Sequence, residues 1–173
     1  TAYEITYGDW SSDVCSSDLL QAATAAWSIG VPAAAIAEAL SACQAPPGRL
    51  EPVTTPEDPF AVLVDYAHTD DALLNVLTAL RPLVGPGGRL VTVFGCGGDR
   101  DRTKRPRMMR VACAHSDRVI VTSDNPRTED AEAIIDEVLT GRPAGADGLP
   151  AAQPAVTRQV DRARAIEQAD RKS

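Results

Sequence analysis

The chain has no apolar run long enough to span a membrane, and no stretch combines the basic, apolar and small-residue regions of a secretory signal. Its four cysteines, Cys15, Cys43, Cys96 and Cys113, form no CxxC pair and have no neighbouring His ligand. Neither a zinc site nor a disulfide framework is therefore expected, and reduced thiols in a cytoplasmic protein fit that usage. Positive charge is in deficit as well. The 17 Lys and Arg face 24 Asp and Glu, and the net charge of -7 argues against a nucleic-acid or anionic-membrane binder. What is present is 44% apolar residues over 173, a length suited to one well-buried domain or one domain and part of another.

The two ends carry little pattern. Residues 1–19 are Ser/Asp-rich, with scattered aromatics and no sustained period. Asp9 to Leu19 resembles the translation of a common sequencing-library adapter, and Thr1 to Ile5 resembles the adapter stretch before it. Asp170-Arg171-Lys172-Ser173 reads as the start of the same kind of adapter. Residues 1–19 and 170–173 are therefore set aside as non-native, as processing and fusion segments are. The remainder is still acidic.

Residues 20 to about 43 read as two Ala-rich helices broken at Gly30, with Pro32 suited to a first helical position. Pro46-Pro47-Gly48 marks a boundary, either a hinge between domains or a helix-to-strand loop. Three buried strands are then expected at Phe60–Val64, a continuous apolar run, at Leu90–Phe94 and at Val119–Thr122. Helices alternate with them. One is capped by Thr69 with an apolar stripe at Leu73, Val76, Leu77 and Leu80; one runs from about Pro106 to His115; one carries Ile134, Ile135, Val138 and Leu139 and stops at Gly141. Residues 142–155 read as a surface loop, and a last helix starts near Asp161. The alternation predicts an open, mostly parallel α/β sheet of Rossmann type with helices on both faces.

In such sheets ligands bind beyond the carboxyl ends of the strands, which singles out three segments. At Asp65-Tyr66-Ala67-His68-Thr69, the carboxylate, aromatic face and imidazole suit a nucleotide; the competing reading has Asp65 and His68 only capping the next helix. In Gly95-Cys96-Gly97-Gly98-Asp99, glycines would let the backbone approach a ligand. The run is neither GxGxxG nor a P-loop. Arg100, Arg102, Lys104 and Arg105 follow it as a cationic loop, Arg105 being the hardest to read as merely solvated. At Ser123-Asp124-Asn125-Pro126-Arg127-Thr128-Glu129, a turn with Thr128 capping the next helix competes with a zwitterion site. In the latter, Asp124 takes an ammonium and Arg127 a carboxylate. Cys96 reads as a packed small residue, having no base beside it.

Together these strings resemble the Mur ligase family, through Gly48-Arg49-Leu50-Glu51, Asp65-Tyr66-Ala67-His68-Thr69, the glycine loop with Lys104-Arg105-Pro106, and Asp124-Asn125-Pro126-Arg127. Asp70 stands where the family usually has Pro, and Met109 where it has Gly. The resemblance implies that residues 20–47 close a central ATPase domain, and that residues 48–169 form most of a C-terminal amino-acid-binding domain. It implies an ATP- and Mg2+-dependent amide ligase that adds meso-diaminopimelate to UDP-N-acetylmuramoyl-L-alanyl-D-glutamate in peptidoglycan synthesis. Arg49, Asp65, Tyr66 and His68 would face the nucleotide; Arg105, Asp124, Asn125, Pro126 and Arg127 would hold the amino acid. The family's P-loop, magnesium ligands, N-terminal domain and downstream Gly-Lys-Gly-His-Glu segment do not occur in the chain, so a piece without ligation activity of its own is expected. A ligase for L-lysine or another amine, and a stand-alone α/β binding domain, are the competing expectations.

Overall fold

The computed structural model describes residues 16–43, 46–55, 57–143 and 154–170. Residues 1–15 and 171–173, most of the ends read as non-native, lie outside the described residues. The chain divides into two compact units, Thr1–Tyr66 and Ala67–Ser173.

The first unit holds α1 (Ser16–Ser28) and α2 (Ala33–Ser41), which pack on each other. Helix α1 thus begins inside the segment set aside from the sequence. Gly30, at φ +88°, turns the chain between them, and Pro32 precedes α2 in an extended conformation. No residue of α2 is buried, and Leu20, Trp27 and Ile29 are exposed. The unit also contains β1 (Glu51–Pro52) and β2 (Leu63–Val64), paired antiparallel.

That pairing corrects the expected strand at Phe60–Val64. Only two of its residues form a strand, and Phe60 and Val64 are exposed at 43% and 44%. The hydrogen-bonding groups of residues 62–64 go instead to residues 51–54: Val53 N–H donates to Val62 O at 3.0 Å, and Val62 N–H to Thr54 Oγ1 at 2.9 Å. A short apolar run does not by itself separate a doubly buried strand from a hairpin arm.

The second unit is a parallel sheet in the order β3 (Val91–Phe94), β4 (Arg118–Val121), β5 (Ala155–Arg158). Strand β5 falls at the edge of and just beyond the stretch read as a surface loop. It is only four residues long and follows Pro154, so it carries too little pattern to stand out. Around the sheet lie α3 (Asp70–Leu80), a 3-10 turn (Arg81–Leu83), α4 (Lys104–His115), α5 (Ala131–Leu139) and α6 (Arg162–Asp170). Helices α3, α4 and α5 contact one another in sequence order and bury Leu73, Leu77, Met108, Met109, Ala112, Ile134, Ile135 and Val138 with Val119 and Val121. Ile120, one step along β4, is also fully buried but outside that cluster, as alternation to the opposite face requires. Helix α6, with Ala165 fully buried, packs against β3 and β4. Both faces of β4 are therefore covered, the fold class expected from the alternation.

Local chemistry explains the element starts. Thr69 Oγ1 accepts from Ala72 N at 3.2 Å and caps α3. Asp130, rather than Thr128, caps α5, accepting from Glu132 N at 2.7 Å and Ala133 N at 3.2 Å. Gly141 ends α5 against α4 so closely that a Cβ there would lie 2.0 Å from Pro106 O. Asp70 forms a 3.4 Å ion pair with Arg107 from α4. Met109, fully buried, is a core residue.

Candidate functional site

Because β3 and β4 pair in register, Phe94 opposite Val121, the loops that leave their carboxyl ends emerge side by side. Thr122 N–H donates to Phe94 O at 2.9 Å and extends the ladder one step. Beyond it there is no space for a side chain on Gly95 or Gly98. A Cβ on Gly95 would sit 2.4 Å from Thr122 O, and one on Gly98 only 1.8 Å from Pro126 O. The glycine loop and the Asp124–Glu129 turn are thus laid backbone to backbone. Gly98 N–H donates to Asn125 O at 2.9 Å, and Arg127 Nη1 donates back to Gly98 O.

Two residues adopt the left-handed region at this junction, Asp99 at φ +52° and Arg127 at φ +51°. Cross-loop hydrogen bonds hold both. The Asp99 carboxylate accepts from Thr128 Oγ1 at 2.7 Å and Thr128 N at 3.2 Å, so Thr128 is spent on this junction rather than on a helix cap. Asp99 N–H in turn donates to Glu129 Oε1 at 2.6 Å. Asp124, Asn125 and Arg127 remain exposed on the turn, with Pro126 partly buried between them. Among the described residues Asp124 pairs with Arg162, at 3.9 Å in an exposed and therefore weak pair.

Arg105 is placed differently from the ligand-facing cation the sequence led us to expect. Its side chain is fully buried at the start of α4. Glu129 grips it as a fork, Nη1 to Oε2 at 2.9 Å and Nη2 to Oε1 at 2.8 Å. Nη1 also donates to Glu137 Oε2 at 2.6 Å and Nη2 to Gly97 O at 3.3 Å, while Nε is buried without a partner among the described residues. Glu137 is shared with Arg102. The fork with Arg105, with the Asp99 N–H beside it, lowers the Glu129 carboxyl to about 2. At both Nη atoms a ligand carboxylate would have to take a position that Glu129 or Glu137 holds here. Burial raises the Cys96 thiol, whose Sγ lies 3.8 Å from Met108 Sδ, in keeping with a packing role.

The residues expected to face a nucleotide fall in both units. In the first, Arg49 lies over the Tyr66 ring, 5.3 Å from its centroid, and both are exposed. Asp65 Oδ2 accepts from Leu50 N at 2.9 Å, which ties the turn carrying Arg49 to the end of β2. The capping reading of Asp65 and His68 gives way here, since Thr69 caps α3. In the second unit, His68 is exposed and its carbonyl accepts from Lys104 Nζ at 2.7 Å. Among the described residues no group of three or more His, Cys, Asp or Glu could hold a metal ion. No described helix is long and apolar enough to cross a membrane. Sequence reasoning gave no role to Asp99, Glu129 or Glu137, and placed Lys104 only within a cationic loop. Their partners lie about thirty residues away, and only the sheet register brings them together.

The fold and this junction define a parallel α/β domain whose strand-end loops form a small charged cradle. The glutamate ligase domain of Mur ligases matches residues 48–172, and the chain belongs to that family. It is 53% identical over 152 residues to the UDP-N-acetylmuramoyl-L-alanyl-D-glutamate--2,6-diaminopimelate ligase of Gloeobacter violaceus, covering 88% of this chain and 29% of the relative. The same-named ligase of Synechococcus elongatus is 47% identical, with the same two coverages. A solved structure of a UDP-N-acetylmuramoyl-L-alanyl-D-glutamate--2,6-diaminopimelate ligase superposes at TM-score 0.60 and 36% identity, over 90% of this chain and 30% of that one. A folylpolyglutamate synthase from Thermotoga maritima shares the fold alone, at 22% identity and TM-score 0.52 over 81% of this chain and 29% of that one. The chain thus spans under a third of the length of these relatives.

Proposed function

We propose that this chain carries the amino-acid site of a cytoplasmic ATP-dependent ligase. That ligase joins meso-diaminopimelate to UDP-N-acetylmuramoyl-L-alanyl-D-glutamate in peptidoglycan synthesis. The observation that carries the reading is the interlock of the glycine loop with the Asp124–Glu129 turn, which holds exposed Asp124, Asn125 and Arg127 on one backbone without room to shift. The names of the relatives support the same reading. We assign residues 20–47 to the end of a central ATPase domain and residues 48–169 to the amino-acid-binding domain.

Asp124 pairs with an ammonium of the ligand, Arg127 takes a carboxylate, and Asn125 supplies a neutral donor and acceptor between them. Pro126 removes one backbone donor and stiffens the turn. Arg105, fully buried beneath the turn, contributes only if a carboxylate displaces its pairing with Glu129 or Glu137. Gripping one end of diaminopimelate this way leaves its other amine free and aimed at the activated carboxyl, so the contribution of these residues is orientation. Lysine has no second carboxylate and would leave Arg127 unpaired. Arg49, Asp65, Tyr66 and His68 are assigned to the nucleotide, whose phosphoryl group activates the acceptor carboxyl when bound. Magnesium is assigned to the part of the ligase outside this chain.

Calorimetric titration of the chain with meso-diaminopimelate and L-lysine tests the assignment. Saturable binding of diaminopimelate is expected, with lysine weaker by about tenfold or more and Arg127→Ala removing the difference. Equal binding of both would turn the reading toward a lysine ligase. Binding of neither would sink it.

A further inference from the structure

Arg105 is gripped by two carboxylates, but they are not equivalent. Among the described residues the Glu137 carboxylate meets only arginines, Arg102 and Arg105. Glu129 binds Arg105 with both oxygens and, with one of them, also accepts the Asp99 N–H of the glycine loop. Asp99 is left-handed, and its own carboxylate holds Thr128, the residue after left-handed Arg127. Glu129 closes its own turn as well, its N–H donating to Pro126 O at 3.0 Å. A chain of contacts therefore runs from Arg105 through Glu129, Asp99 and Thr128 to the backbone of Arg127. Both Glu129 oxygens are occupied by protein donors, so the side chain serves the site without offering itself to a ligand.

We propose that Glu129 is a positioning residue that sets the orientation of Arg127 and, through it, the preference for an amino acid with a second carboxylate. This rests on the reading of the turn as an amino-acid site. Its carboxyl is held at about 2, so the clamp is charged throughout the neutral range. The loss of Glu129 does not merely remove a buried pair; it frees Asp99, which then no longer dictates the turn at Thr128.

The test compares the full chain with Glu129→Gln and Glu137→Gln. The two variants neutralise the two carboxylates that share Arg105, and only the first touches the glycine loop. Affinity for meso-diaminopimelate and for L-lysine is measured for each, together with amide exchange at Asp99 and Thr128. Glu129→Gln is expected to weaken diaminopimelate binding by about tenfold, to change lysine binding by less than about twofold, and to speed exchange at both amides. Glu137→Gln is expected to do markedly less on every readout. Unchanged diaminopimelate affinity in Glu129→Gln, equal loss for both amino acids, or identical behaviour of the two variants would each overturn the positioning role while leaving the amino-acid reading in place. A wild-type chain that binds neither amino acid overturns the reading, and the positioning role with it.

Discussion

The two sets of candidate ligand-facing residues are built in opposite ways. Around the residues proposed for the amino acid, the loops after β3 and β4 touch through backbone with no room for a methyl on Gly95 or Gly98, and polar side chains lock both left-handed residues. Among the residues proposed for the nucleotide, Arg49 and Tyr66 stack in the open, and Asp65 accepts from Leu50 N and ties down their turn. The residues of that side are also divided between two units. A cradle that is already rigid loses little further freedom when its ligand arrives, whereas exposed side chains must be ordered at the moment of binding. For the ligands proposed, the first arrangement would favour discrimination between similar small molecules, and the second would suit a ligand gripped mainly by its charge and its ring.

That contrast is most sharply tested at Gly98. Gly98→Ala should destabilise the second unit by about 3 kcal/mol or more, because the new Cβ meets the Pro126 carbonyl and neither backbone can retreat. Chemical denaturation measures this, and a cost near zero would show that the loops are not interlocked. A smaller effect is expected in acid. The Glu129 carboxyl is depressed from its ordinary 4.5 to about 2, so its contribution is complete above about pH 4.5 and lost as pH falls through 2. Denaturation curves collected from pH 5 to pH 2 should fall more steeply for the wild type than for Glu129→Gln, by up to one proton's worth of slope. Parallel curves would mean that the fork is not formed in solution. The smallest effect belongs to the nucleotide side, where Arg49→Ala should change stability by no more than about 0.5 kcal/mol. A larger loss would erase the contrast between a built and a displayed site.

Much of the second unit was legible in the sequence. The runs at Leu90–Phe94 and Val119–Thr122 became β3 and β4 within a residue, and the spacing of Leu73 and Leu77 placed the buried face of α3. Thr69 was readable as a cap because capping is local chemistry. Phe60–Val64 misled because apolar content says nothing of which partner will take the backbone bonds, and here residues 51–54 take them. Strand β5 was invisible because four residues, two of them apolar, do not make a period. Of the site, the exposed turn residues were named from their types alone. The burial of Arg105 was not, since a cationic loop at a helix start looks the same whether its charges meet solvent or carboxylates.

The sequence by itself determined the alternation of strand and helix, the glycines that let two loops approach, and the charged groups at the strand ends. These follow from periodicity, sterics and residue chemistry within a few positions. The tertiary structure alone decided which charges would be spent inside the protein and which left exposed. Placing Phe94 opposite Val121 brings the two loops into contact across about thirty residues of chain. In that contact Arg105 must be neutralised because it is buried, while Arg127, exposed on the rim, donates to Gly98 O without forming an ion pair among the described residues.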